Sequence, residues 1–204
     1  MKIQINGTPL DFTLENEKTV GEVMAQLERA CEANGMTITA VRAGGKTLSA
    51  DTLDNLFAVP VTEAEDLELE TISGREILAL AEEKSAACAA LADQLEEVPV
   101  LLQTGREKEA MAVMETFSRE TEELKRLLPL LSLGSVAEEN LLLDGQNPGE
   151  YLAAVFPFIG EMSGAIEQQD TVTIGDIAEY EIAPRMREIG NFLTAVVRNA
   201  GQNP

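Results

Sequence analysis

Leu67-Glu68-Leu69-Glu70-Thr71-Ile72-Ser73-Gly74-Arg75-Glu76-Ile77 is the stretch in which this chain changes its period. Up to Thr71, apolar or β-branched residues alternate with glutamates, the period of two that a half-buried strand needs. Beyond Ser73 the apolar residues Ile77, Ala81, Cys88, Leu91, Leu95 and Val98 recur at helical spacing, interrupted at Lys84. Ser73-Gly74-Arg75-Glu76 reads as a capping box, with Ser and Glu three apart at the start of that helix. Strand signals lie before this point, around one capped helix, and everything after it reads as helix. The chain of 204 residues therefore divides into a head, 1–73, and a helical body, 74–204.

Toward the N-terminus, Lys2 to Asn6 puts Ile3 and Ile5 on one face, and Gly7-Thr8-Pro9 turns into a second strand carrying Leu10, Phe12 and Leu14. Thr19 and Glu22 form a capping box, after which Val20, Val23, Met24, Leu27, Ala30 and Cys31 make one apolar helix face, closed by Asn34-Gly35. Thr37 to Arg42 is a third strand, Ala43-Gly44-Gly45 a turn and Lys46 to Leu48 a fourth strand; Asp51 to Leu56 is a turn of helix, Glu63 to Asp66 a solvated loop, and Asp66 to Ile72 the fifth strand.

The order strand, strand, helix, strand, strand, strand, with Ala43-Gly44-Gly45-Lys46-Thr47-Leu48 followed by Thr52-Leu53, resembles the ubiquitin-like β-grasp superfamily over about 70 residues. That resemblance implies recognition of another protein through the exposed sheet face. Conjugation through a free C-terminal Gly-Gly is not implied, because the fifth strand runs on into a helix and Gly44-Gly45 lies inside a hairpin. The expected fold class is α+β: a ubiquitin-like β-grasp domain followed by an all-α, irregular four-helix-bundle-like domain.

In the body the first helix is expected to run to about Leu102. Thr104-Gly105-Arg106-Glu107 reads as another capping box, opening a helix with the seam Ala110, Met114, Phe117, Thr121, Leu124, Leu128 and Leu131. Met111 and Met114 with Phe117 suit either core or an adaptable groove. Ser135 to Glu138 opens a short helix through Leu143, and Tyr151, Val155, Phe158, Met162 and Ala165 mark the third long helix. The last is expected to start near Ile174 behind a Thr173 cap, with the stripe Ala178, Ile182, Met186, Ile189, Leu193 and Val196. Pro99, Pro129, Pro157 and Pro184 are expected to bend these helices, with helix ends at Pro99 and Pro129, and lengths a turn shorter, as the alternative.

The formal net charge is −21, from 15 Lys+Arg against 36 Asp+Glu. Such a chain repels a phosphate backbone, so no nucleic-acid partner is expected, and no run of residues has the length for membrane insertion. The expected setting is cytoplasmic, with Cys31 and Cys88 as buried reduced thiols; a disulfide between head and body is the alternative. The absence of histidine removes imidazole-dependent nucleophilic catalysis and the metal sites that need an imidazole ligand. No catalytic or cofactor-binding residue is assigned, and no cofactor is expected.

Asp170 to Pro184 is the place where chemistry concentrates. Asp176, Glu179, Tyr180 and Glu181 are candidate partner-binding residues, and Asp170, Asp176 and Glu179 are candidate ligands for a hard cation. Each also has a structural explanation: Asp176 at a helix start, Glu181 paired with Arg185, Tyr180 packed at a bundle edge. Leu127 to Pro184 contains no Lys or Arg and ten acids, a field that would steer a basic partner. The expected function is a non-enzymatic adaptor or chaperone-like protein that binds another protein, basic or helical. The alternatives are a carboxylate-metal hydrolase centred on Asp176 and Glu179, or a homo-oligomeric structural protein.

Overall fold

The computed structural model describes residues 1–14, 16–133 and 138–200. The fold is α+β, a mixed five-stranded sheet followed by helices. Two compact units, Met1–Gly74 and Arg75–Pro204, divide the chain.

In the first unit β1 (Ile3–Ile5) and β2 (Thr8–Pro9) form a hairpin. Its turn is Asn6-Gly7, both at positive φ (50° and 75°), beginning one residue before the Gly7-Thr8-Pro9 turn the sequence suggested. The second strand is accordingly only two residues long. Leu10 and Phe12 still pack on the core, past the end of β2, and the Leu10 N–H bonds to Ile3 O at 2.8 Å.

Helix α1 (Val20–Ala33) starts as expected at Thr19, whose hydroxyl accepts the Glu22 N–H at 3.3 Å. The returning Glu22 carboxylate accepts from the Lys18 N–H at 2.6 Å, one residue before the position of a standard box. Strands β3 (Met36–Ala43) and β4 (Lys46–Thr47) meet at the Gly44-Gly45 turn. Helix α2 (Ala50–Phe57) and β5 (Leu67–Ser73) complete the unit.

The strand order is β2-β1-β5-β3-β4, with β1 and β5 parallel at the centre. The pairs Ile3↔Leu67, Ile5↔Leu69 and Val41↔Leu69 put apolar side chains on the face that packs against Val20, Val23, Met24 and Leu27 of α1. Gln4, Glu68, Glu70 and Arg42 fall on the other face, where Arg42 pairs with Glu70 at 2.7 Å.

In the second unit the prolines set the helix boundaries. Helix α3 (Gly74–Glu96) stops short of Pro99, which sits in the first turn of a separate α4 (Val98–Gln103). The predicted first helix to Leu102 is thus two helices. Thr104 does not cap the next one: its hydroxyl donates back to Val100 O at 2.7 Å and closes α4, Gly105 turns at φ +74°, and α5 (Glu107–Leu127) begins behind Arg106. All seven expected seam residues from Ala110 to Leu131 are buried. Pro129 falls in a 3₁₀ segment, Leu128–Leu133, that ends α5. The expected start of a short helix at Ser135 lies outside the described residues; Glu138–Leu141 is a 3₁₀ turn. The predicted third helix is likewise split, into α6 (Pro148–Ala153), capped by Asn147, and α7 (Phe156–Glu167), with Pro157 in its first turn.

Lys84, read as a break in the α3 stripe, is instead buried with the rest of it at 6% exposure. Its ammonium binds Glu120 of α5 at 2.9 Å and also Glu123. Burial alone would lower the Lys84 pKa, but the hydrogen bonds to Glu123 and Glu120 outweigh it and raise it. Both cysteines are free and buried; burial, and the negative Glu120 nearby, push the Cys88 thiol up to about 12.

Candidate functional site

The segment Asp170 to Pro184 is built from helix α8 (Thr171–Asp176), a π-helical turn (Ile177–Ile182) and the start of α9 (Ala183–Ala200). Its cap is Asp170, not Thr173. The Asp170 carboxylate accepts the Thr173 N–H at 3.1 Å and hydroxyl at 2.7 Å, and those hydrogen bonds hold its pKa below the usual carboxylate range. The helix therefore starts about one turn earlier than expected.

The π turn follows from Pro184, which has no N–H and whose ring would press on the carbonyl four residues back in a regular helix. Widening the turn relieves both problems, and the Ala183 N–H bonds to Ala178 O, five residues away. Inside the turn Ile177, Ala178, Ile182 and Ala183 are all buried, two adjacent pairs spaced five apart. Arg185 braces it from below. Its Nη1 donates to the Glu181 carbonyl at 2.5 Å and to the Glu181 carboxylate at 3.0 Å, while the guanidinium stacks 4.8 Å from the centre of the Phe158 ring on α7.

The candidate residues separate into two groups. Glu181 is engaged by Arg185, as the spacing of four suggested. Asp176 and Tyr180 face solvent on successive turns. Tyr180 is 64% exposed rather than packed at a bundle edge. The neighbouring Glu179 carboxylate, which favours the protonated phenol, and the charge of Asp176 raise the Tyr180 pKa. Val172, one turn before Asp176, is 70% exposed and was not singled out from the sequence, since a lone valine carries no chemical signal. Among the described residues no three acidic or cysteine side chains converge to hold a metal ion, and Asp170 is committed to its cap. The arrangement is an acidic ridge with a phenol and an aliphatic side chain presented to solvent.

Two family models match the chain: the TP0873 N-terminal domain over residues 1–73, and a domain of unknown function, DUF8042, over residues 82–192. The second covers more than half of the chain. The chain belongs to the DUF8042 family. The matched DUF8042 region opens inside α3, just before Lys84, and closes inside α9, so it contains the Lys84 cluster and the whole ridge. A protein of Treponema pallidum (strain Nichols), described as "Uncharacterized protein", is 35% identical over 193 residues, 94% of this chain and 95% of that one. No solved structure matches. Among the described residues no helix is long and apolar enough to cross a membrane.

Proposed function

We propose that this chain is a non-enzymatic, cytoplasmic protein-interaction module, adaptor or chaperone-like, whose partner is another protein carrying basic residues. The observation that carries this reading is the ridge in α8 and the π turn. Solvent-exposed tyrosine on a structured helix is favoured at interfaces, because it supplies a large amphipathic contact for little loss of side-chain freedom. Here Tyr180 stands exposed beside Glu179, and Asp176 and Val172 extend the surface along one helix. The field of a segment without Lys or Arg from Leu127 to Pro184 would steer a positively charged partner toward it.

The head supports the same reading. Its strand order, with a parallel central pair and one helix on one face, supports assignment to the ubiquitin-like β-grasp superfamily, whose members recognise proteins through the open face of the sheet. In this chain that face carries Gln4, Glu68, Glu70 and Arg42 and would take a polar partner surface.

The test is capture from lysate of the source organism on the immobilised full chain at low salt, followed by a wash at about 1 M salt, where the screening length falls to about 3 Å. One protein client should be retained at low salt, released by the wash, and lost with Tyr180→Ala and with Asp176→Lys. A blank at low salt, or capture that both variants leave intact, refutes the ridge as the binding surface.

A further inference from the structure

We infer that the head carries a second, separate docking site, on the edge of β3, for a short extended peptide strand that alternates apolar and basic residues. Strand β5 pairs with β3 along its length, from Met36 to Ala43, whereas β4 pairs only with Arg42 and Ala43. After Thr47 the chain adds one further bond, Leu48 N–H to Val41 O at 2.9 Å, and then turns away at Ser49 into α2. On that side Met36 to Ala40 therefore has no strand neighbour among the described residues. A strand edge of this kind is a template for β-strand addition, in which main-chain hydrogen bonds supply affinity and pockets beside the edge supply specificity.

Such a pocket is present. A cavity of about 250 Å³ is lined by Ile38, Thr39, Ala40 and Val41 of β3, by Met24 and Glu28 of α1, and by residues of β4 and α2 including Leu53 and Phe57. Across the bulge at Thr39, Ile38 and Val41 share the core face and Ala40, opposite Glu70, the other, so a cavity lined by all of them is met at the edge of the sheet. The volume lies below the roughly 300–1,000 Å³ usual for small-molecule sites and suits a side chain projecting from an added strand.

Charge selects the occupant. Glu28, on the exposed surface of α1, stands at this cavity, and residues 1–74 hold thirteen acidic against five basic side chains. A second copy of the same edge would bring two Glu28 carboxylates and two acidic heads together, whereas a basic strand would meet opposite charge. The irregularity between Ile38 and Ala40, where β3 carries Thr39 as an extra residue against β5, adds twist and works against indefinite edge-to-edge stacking.

The proposal is tested on the full chain by amide NMR with two synthetic six-residue peptides, one alternating lysine with valine and leucine, the other with glutamate in place of lysine. The lysine peptide should shift amides at Met36 to Ala40 and at Glu28, Leu53 and Phe57, and slow exchange of the edge amides. The glutamate peptide should bind at least about tenfold more weakly. Glu28→Lys, an exposed substitution that leaves the core untouched, should weaken the lysine peptide by about fivefold, the size of one surface charge pair. Equal binding of the two peptides, shifts elsewhere on the surface, or no shifts at millimolar peptide overturns the proposal. Concentration-dependent protection of the same amides without peptide overturns it in favour of self-pairing.

Discussion

Lys84→Met tests the central electrostatic feature of the helical unit. The ammonium is 6% exposed and Glu120 is 8% exposed, at 2.9 Å, so the substitution strands a carboxylate out of contact with water. Breaking a buried pair by removing one partner costs about 3–5 kcal/mol, because the remaining charge keeps its desolvation penalty. That is a large share of the roughly 5–15 kcal/mol that stabilises a typical domain. It corresponds to a fall in melting temperature of about 10–20 °C for a unit of this size. Replacing both charges, Lys84→Met with Glu120→Gln, should recover most of the loss, since an apolar or neutral substitute of similar volume for a buried pair is close to neutral. Glu123→Gln alone should cost less than about 1 kcal/mol, because that side chain is 42% exposed and screened. Urea unfolding followed by helical circular dichroism gives all three values. A loss below about 1 kcal/mol for Lys84→Met, or a double variant no better than the single, would refute the assignment of a paired, desolvated charge. The pH dependence has a fixed sign. The raised Lys84 pKa means that its contribution is complete below the ordinary lysine value of about 10.4 and disappears as pH rises through the folded pKa. The lowered Glu123 pKa, set chiefly by its bond to Lys84, means a contribution present above about 4.3 and lost as pH falls through the folded pKa. Lys84→Met should abolish the alkaline part of this profile.

The close approach of α9 to α3 gives a second test. A Cβ on Gly190 would stand 3.1 Å from Ser85 O and 3.2 Å from the Cys88 Cβ, so Gly190→Ala should destabilise by about 1–3 kcal/mol, read as a shifted urea midpoint with unchanged slope. Native Cys88, with its thiol pushed up to about 12, should resist alkylation by iodoacetamide at pH 8 and react once the chain is unfolded in urea; rapid labelling of the folded protein would contradict the burial.

Patterns of apolar spacing were legible from the sequence wherever a helix buries a continuous stripe. The α5 seam from Ala110 to Leu131 and the last stripe from Ala178 to Val196 are buried at every position named. Lys84 was misread because periodicity registers only apolar residues, and its partners lie 36 and 39 positions away in sequence. The boundary at Pro157 was missed, and at Pro99 a helix end was only the alternative to a bend, because proline suits a first turn as well as it disrupts an interior one. Thr104 and Thr173 were each read as caps on spacing alone, where Gly105 at positive φ and Asp170 with its better-placed carboxylate decided otherwise. At the ridge, the acidic residues and Tyr180 could be named in advance. Exposure of Tyr180 and Val172 could not, because the π turn before Pro184 shifts the phase of its flanks by one residue, and a regular helical spacing leaves that shift out.

The π turn also governs how this segment tolerates changes of length. Between Ile177 and Ile182 the chain holds one residue more than a regular helix would need to span the same rise. Each residue of an α-helix advances about 100° around its axis, so a deletion elsewhere in α9 would rotate the remainder of the buried stripe away from its neighbours. A deletion at the Glu179-Tyr180 position would instead absorb the surplus residue and leave both flanks in phase, at the cost of returning Pro184 to a regular turn. Glu179 and Tyr180 thus lie where the helix holds its surplus residue, and a length change there re-registers the buried stripe less than one in α8 or α9.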